Sequence, residues 1–479
     1  MRPLIAVAAA CLAAGCANPP GGDSAPAPPN FVILLVDDLG WTDLGCYGSD
    51  FYETPNIDRL AADGVRFTHG YAACTVCSPT RAALLTGLYP GRTNVTDWIP
   101  GHRRPFAKLK PPDWTMQLEH RHTTLAEALQ SQGYRTAHVG KWHLMPRLDT
   151  EAMMEYTPDR HGFEINIAGN EWGAPGSYHH PYARDDRRVY PLPDGGADGD
   201  YLTDRLTDEA LRIIEQFQAE PFLLYFPYYT VHTPIQPKAE DLARFQDRAD
   251  PGKRHRNPAY AGMLAALDRS VGRVRTKLAE LGLAENTVIV FTGDNGGLDR
   301  TGPDGRLGSP TENEPLRAGK GSPYEGGVRT PTIYLWPSVT PSGAVSDEPV
   351  VTIDIYPTVL EIAGVSGDPG HNELVDGLSL AGILRDPNAE LGRDALFWHY
   401  PHYHNGGSTP HSAIREGDWR LVHFYEDGRR ELYNLANDVG ESRDLAGDMP
   451  DKADELLARL DAWRAEVGAQ EPAPNPDAR

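Results

Sequence analysis

The sequence predicts an α/β protein: a large mixed, mostly parallel sheet sandwiched by helices, followed by a smaller C-terminal domain of antiparallel sheet plus a helix. Three observations predict it. Continuous apolar, β-rich runs over residues 31–36, 134–139, 222–226 and 288–292 alternate with amphipathic stretches, and unbroken apolar strands belong to sheets covered on both faces. Each run is followed at once by an unusual polar cluster: Asp37-Asp38, Lys141 with His143, His232, and Asp294-Asn295. After Asp386 the texture changes to short segments at 395–400, 419–425 and 431–435, closed by an amphipathic helix over 452–467.

Taken in order, the chain opens with Met1 and Arg2 and an apolar stretch over residues 4–14. That stretch is too short to span a bilayer but long enough for the core of a signal peptide. Gly15-Cys16 follows, and residues 18–29 are rich in Pro, Gly and Ser. The arrangement resembles a bacterial lipoprotein signal in which Cys16 is acylated and becomes the mature N-terminus, with residues 1–29 as signal and flexible linker. A soluble secreted protein cut near Ala17 is the alternative, and both place the protein outside the cytoplasm, in the periplasm or at the cell surface. Residues 30–385 are expected to form the catalytic domain, with helices over 124–132, 203–218 and 260–281, where apolar residues recur at helical spacing. Residues 386–468 form the smaller domain. The Pro- and Ala-rich tail, 469–479, is expected to be disordered.

With 479 residues, 40% hydrophobic and 23% charged, the chain has ample material for a large core. Its net charge of -22 disfavours nucleic acid and anionic membrane surfaces as partners, because polyanions are bound through a basic footprint. Contact with a membrane is expected only through the lipid on Cys16. An anionic substrate has to be captured by a local positive site. Outside the signal segment only Cys46, Cys74 and Cys77 remain, too few for a disulfide framework, and whether Cys46 and Cys74 pair is open. One of the three is free to serve chemistry.

Open parallel sheets bind ligands at the carboxyl ends of their strands, so the four polar clusters are expected to share one crevice. Asp37, Asp38, Asp294 and Asn295 offer hard oxygen ligands from two strand ends, which suits Ca2+ or Mg2+ and no soft metal. Cys77-Ser78-Pro79-Thr80-Arg81 precedes the helix-like Ala82-Ala83-Leu84-Leu85-Thr86-Gly87. Pro79 suits the start of a helix, so residue 77 is expected at a helix N-terminus, where free amides favour negative charge. An activated thiolate and a plain buried cysteine both fit these residues alone.

The Cys-x-Pro-x-Arg pattern with its Ala-Ala-Leu-Leu-Thr-Gly continuation resembles the signature of the type I sulfatases, the formylglycine-dependent, arylsulfatase-like family of the alkaline-phosphatase-like superfamily. The resemblance runs in order through Val36-Asp37-Asp38, residues 77–81, Gly140-Lys141-Trp142-His143, Val231-His232-Thr233, Gly293-Asp294-Asn295-Gly296 and Lys320, and extends to the C-terminal stretch 419–441. It implies a sulfuric ester hydrolase in which a maturation enzyme converts Cys77 to formylglycine. It also implies one Ca2+ held by Asp37, Asp38, Asp294, Asn295 and the modified residue 77. A formylglycine hydrate has two hydroxyls: one attacks sulfur, and the other then expels sulfate and restores the aldehyde. In the family pattern Arg81 and Lys141 orient and charge-stabilise residue 77, and His143 takes the proton that starts sulfate expulsion. His232 and Lys320 contact the sulfate and the leaving oxygen, His232 being the better general acid. Arg329 matches a family segment and reads as structural.

Aromatic and polar side chains on loops suit sugar recognition. Trp98, His102, Arg103, Glu171, Trp172, His179, His180, His402 and His404 are the candidates, with Trp98, His102, Glu171 and His402 foremost. The expected substrate is a sulfated carbohydrate or an aryl sulfate. The competing readings are a phosphonate monoester or phosphodiester hydrolase of the same superfamily, and a catalytically silent binder of sulfated glycans. No second carboxylate and histidine set follows Asp294, which favours sulfate. The histidine-rich run 398–404 lacks the paired carboxylate or thiolate spacing of a transition-metal site.

Overall fold

The computed structural model describes residues 27–147, 151–250, 252–299 and 309–479. Cys11, Cys16 and the expected signal segment lie outside the described residues. The central sheet has eight strands: β1 (Asn30–Val36), β2 (Val65–Phe67), β3 (Arg135–Val139), β4 (Ile165–Ile167), β5 (Phe222–Pro227), β6 (Thr287–Gly293), β7 (Thr332–Leu335) and β8 (Ala344–Ser346). Their spatial order is β8-β2-β7-β6-β1-β5-β3-β4. The run β6-β1-β5-β3-β4 is parallel throughout, and β7 alone is antiparallel to both its neighbours. Every residue of β1, β5 and β6 is buried, as expected of strands covered on both faces.

Alternation along β1 divides the core in two. Val32, Leu34 and Val36 join the side covered by α1 (Pro55–Asp63), while Phe31, Ile33 and Leu35 join the side covered by α2 (Cys77–Thr86) and α3 (Leu125–Gln130). The first side is completed by α4 (Leu202–Phe217) and α5 (Pro258–Glu280), the second by α6 (Ile355–Ala363). Truncating one fully buried leucine here, such as Leu34→Ala, costs roughly 2–5 kcal/mol.

The smaller sheet is an antiparallel meander of β9 (Leu396–Tyr400), β10 (His411–Glu416), β11 (Trp419–Phe424) and β12 (Arg430–Asn434), covered by α7 (Pro450–Glu466). The strand β10 was not expected from the sequence, because His-Ser-Ala-Ile-Arg-Glu carries no clear apolar alternation. Its core is continuous with the large domain: Leu421, Leu456 and Trp463 pack in one cluster with Tyr71, Ala83 and Val351. At that seam Arg420 is fully buried between Glu325 and Glu441. Arg329 donates to the Thr68 carbonyl and pairs with Glu325, in keeping with a structural role.

The tail departs from its expected disorder. Ala473–Pro474 pairs antiparallel with Leu109–Lys110, and Asn475 Nδ2 donates to the carbonyls of Pro105 and Ala107. Composition gave no sign of this, because the partner is an isolated loop segment. Cys46, Cys74 and Cys77 are all free thiols, so the fold rests on its cores. No helix among the described residues is long and apolar enough to cross a membrane.

Candidate active site

The carboxyl ends of β1, β3, β5 and β6 lie side by side, and the four polar clusters meet there. Register does this: Val36 pairs with Gly293, so the residues that follow, Asp37 and Asp294, emerge together. Asp38 sits at φ 59°, a left-handed conformation that Asp tolerates better than most side chains. Its amide donates to Asp294 Oδ1 at 3.2 Å.

The acids are dressed by cations on one side and bare on the other. Lys141 Nζ donates to Asp37 Oδ2 at 2.7 Å, and Arg81 Nε and Nη2 both donate to Asp294 Oδ2, at 3.0 and 2.6 Å. Asp38 Oδ1 accepts from Lys320 Nζ at 2.6 Å and Asn295 Nδ2 at 2.8 Å. Three buried oxygens are left with no hydrogen-bond donor: Asp37 Oδ1, Asp38 Oδ2 and Asn295 Oδ1. Ligand atoms of Asp37, Asp38 and His232 lie within 4.8 Å of one another, the one such grouping among the described residues. Orphaned buried oxygens are costly, and hard oxygens gathered at one point fit a hard divalent cation.

The titration behaviour follows the packing. Burial, then the neighbouring Asp294, pushes the Asp37 carboxyl up to about 8, against the pull of Lys141. Asp38 is just as buried, yet Lys320 and then His232 hold it well below the usual carboxylate range. Lys320 is held firmly as a cation, the pull of Asp38 outweighing the burial that opposes it.

Cys77 is the first residue of α2 and is buried. Burial raises its thiol pKa, which argues against an activated thiolate. Its Sγ is 3.3 Å from His143 Nδ1. The opposite ring nitrogen, Nε2, is 2.6 Å from the Ile99 carbonyl, and a carbonyl only accepts, so Nε2 carries the proton and Nδ1 faces residue 77 as a base. Burial, reinforced by Lys141, keeps this imidazole neutral. Gly173 packs against the ring, where a Cβ would come within 2.3 Å of Cε1. Arg81 also donates to the Lys141 carbonyl at 2.8 Å, tying α2 to the end of β3. His232 Nδ1 donates to the Thr233 carbonyl at 2.8 Å, which leaves Nε2 3.7 Å from Asp38 Oδ2.

Asp38, Cys77, His143, His232 and Lys320 form the floor of a cavity of about 950 Å3, also lined by Trp98, His102, His404, Arg147, Arg187 and Arg429. Several pocket candidates lie elsewhere. Glu171 is buried behind the wall and accepts from the Tyr190 hydroxyl at 2.5 Å. His402 is buried against Thr96, with Nε2 2.9 Å from its hydroxyl. His179 packs on Tyr201, His180 faces Asp198, and Trp172 underlies Arg147. Arg103 lines a separate, shallower groove that shares His404 with the cavity. His399 is spent on Ser412 and the Gln470 carbonyl, and the one metal-ligand grouping among the described residues lies outside run 398–404. Sequence reasoning missed Arg147 and Arg187, although Arg147 lies only four residues beyond His143 in the same strand-end loop.

The family model named Sulfatase matches residues 29–365, and a second, for the C-terminal part of N-sulphoglucosamine sulphohydrolase, matches residues 319–466. A sulfatase of Formosa agariphila is 34% identical, over 91% of this chain and 88% of its own. Human N-acetylgalactosamine-6-sulfatase is 34% identical, over 76% of this chain and 67% of its own. The crystal structure of Ps i-CgsB in complex with k-i-k-neocarrahexaose is 28% identical and superposes with a TM-score of 0.74, covering 93% of this chain and 94% of that one.

Proposed function

Because the chain belongs to the sulfatase family and is a sulfuric ester hydrolase, we propose that it removes sulfate from a sulfated carbohydrate, using a formylglycine made from Cys77 beside one bound Ca2+. The observation that carries this reading is the trio of donorless oxygens, Asp37 Oδ1, Asp38 Oδ2 and Asn295 Oδ1, buried beside residue 77. Asp37, Asp38, Asp294 and Asn295 would hold the cation. When bound, it offsets the clustered carboxylate charge and acidifies a hydroxyl held against it, while the aldehyde hydrate supplies that hydroxyl.

The rest falls to the side chains. Arg81 and Lys141 fix the acidic floor through Asp294 and Asp37 and place positive charge beside the nucleophile. His143 Nδ1 stands where it can take a proton from the side chain of residue 77. Lys320 offers charge to the sulfate from beside Asp38, and His232 Nε2 faces the cavity to give a proton to the departing oxygen. The sulfated sugar is supported by what relatives act on or bind: N-acetylgalactosamine-6-sulfate by the name of one, a neocarrahexaose by the structure of another. Export and a lipid on Cys16 belong to the same reading and rest on residues 1–29.

Cys77→Ala is the test. It should abolish turnover of aryl and sugar sulfates while thermal melting stays close to wild type, and the wild-type peptide bearing residue 77 should have the mass of an aldehyde or its hydrate. Full activity in Cys77→Ala would overturn the reading. Faster turnover of an aryl phosphonate than of the matching aryl sulfate would shift the substrate class.

A further inference from the structure

The cavity above residue 77 holds cations that its acids do not neutralise. Lys320 is paired with Asp38 at 2.6 Å, and Arg429 is paired with Glu431. Arg147 and Arg187 form no ion pair among the described residues, although both line the same cavity as Asp38 and Cys77. Arg147 Nε is buried without a hydrogen-bond partner. Both guanidiniums lie against one indole, 4.4 Å and 5.5 Å from the ring centre of Trp172.

Burial, reinforced by the like charge of Arg187, makes Arg147 hold its proton less firmly than a solvated arginine. The nearest acids, Glu171 and Asp186, pull the other way without reversing this, and neither pairs with Arg147. Glu171 gives Oε2 to the Tyr190 hydroxyl, and Asp186 is exposed on the turn of the hairpin that carries Arg187. The indole holds both guanidiniums on one side chain, so less freedom is lost when a ligand arrives than for two solvated arginines. A guanidinium fork matches an oxyanion through paired, charge-assisted hydrogen bonds.

We propose that Arg147 and Arg187, held on Trp172, form a second anion subsite that binds an oxyanion of the substrate other than the sulfate being removed. This rests on the sulfate-ester reading above and sharpens it: the substrate carries at least two anionic groups. The second group is a further sulfate ester or a carboxylate, since both present the oxygens that the forks require.

The experiment compares kcat/KM for three sugars: a monosulfated neutral sugar, its disulfated counterpart and a monosulfated uronate. Wild-type protein should prefer one of the two dianionic sugars by about tenfold or more, carried mainly by KM. Arg187→Gln and Arg147→Gln should each erase most of that preference. Preference for the disulfated sugar assigns a sulfate to the subsite, and preference for the uronate assigns a carboxylate. If Arg147→Gln does not fold, Arg187→Gln decides alone, because it lies on a partly exposed two-residue strand. Turnover without preference, or equal losses by the variants on all three sugars, overturns the subsite and leaves the sulfatase reading intact. Turnover of none of the three by wild-type protein overturns the sulfated-sugar reading and the subsite with it.

Discussion

His143 Nδ1 lies 3.3 Å from Cys77 Sγ because the far side of the ring is pinned to the Ile99 carbonyl at 2.6 Å. The pin chooses the tautomer, and burial keeps the ring neutral. His143→Gln is therefore predicted to lower kcat by about 10²–10⁴-fold, the usual worth of a positioned general base. Single-turnover measurements check it: if His143 serves sulfate expulsion, the first release of alcohol survives and later turnovers stall. Equal slowing of the first and later turnovers would remove this assignment.

The acidic floor makes stability depend on pH and on divalent cations together. Without a cation the folded protein keeps a proton on Asp37 up to about 8, while the unfolded chain loses it near the ordinary value of 3.8. Between those values the native state binds the extra proton, so metal-free stability is predicted to fall as pH rises through that window. Ca2+ should reverse the trend, because it binds the deprotonated site, and at a hundred times its Kd it adds about 2.7 kcal/mol. Melting curves with chelator and with Ca2+, at several pH values from 4.5 to 8, read both effects. A metal-free melting temperature that does not change across that range would contradict this account.

At the seam between the two sheets, Arg420 is fully buried, donates to Glu325 Oε1 at 3.1 Å, lies 3.2 Å from Glu441 Oε1 and stacks 4.5 Å over Trp398. Removing the charge in Arg420→Met takes away the buried donor to Glu325 Oε1 and the cation beside Glu441, leaving Glu325 only Tyr71 and Arg329, and is predicted to destabilise the fold by about 3–5 kcal/mol. Glu441→Gln should cost far less. Burial pushes that carboxyl up to about 8, which weakens its hold on a charge near neutrality, and the amide can still accept from the Glu325 backbone. Denaturant midpoints compare the two variants, and similar losses would refute the asymmetry.

The sequence made much of the floor legible because Asp37, Asp38, Lys141, Asp294 and Asn295 follow closely on apolar strands, and strand ends in a parallel sheet converge by topology. Asp37 and Asp294 are 257 positions apart yet follow paired residues. The walls were not legible in the same way. Glu171 and His402 sit in loops where no periodicity tells inward from outward, and both turn away to satisfy a hydroxyl. Arg147 comes from a loop and Arg187 from a short hairpin strand, and both lie against Trp172. The tail pairs with residues some 360 positions earlier, an arrangement that Pro- and Ala-rich composition does not encode.

In the proposed reaction His232 acts on the leaving group rather than on the nucleophile. Its Nδ1 is committed to the Thr233 carbonyl, Nε2 lies 3.7 Å from Asp38 Oδ2, and 18% of the side chain is open to the cavity. Burial pushes its pKa down to about 3, against the opposing charge of Asp38, so the resting ring is neutral and, to act as an acid, has to take up its proton with the anionic substrate bound. An alcohol such as a sugar hydroxyl needs that proton to depart, whereas an activated phenol leaves as the anion. His232→Ala is therefore predicted to slow sugar sulfates by about 10²–10⁴-fold and nitrophenyl sulfate much less. Rates plotted against leaving-group pKa should fall more steeply in the variant than in the wild type. Parallel lines would transfer the acid's role to Lys320, the cation already fixed beside Asp38.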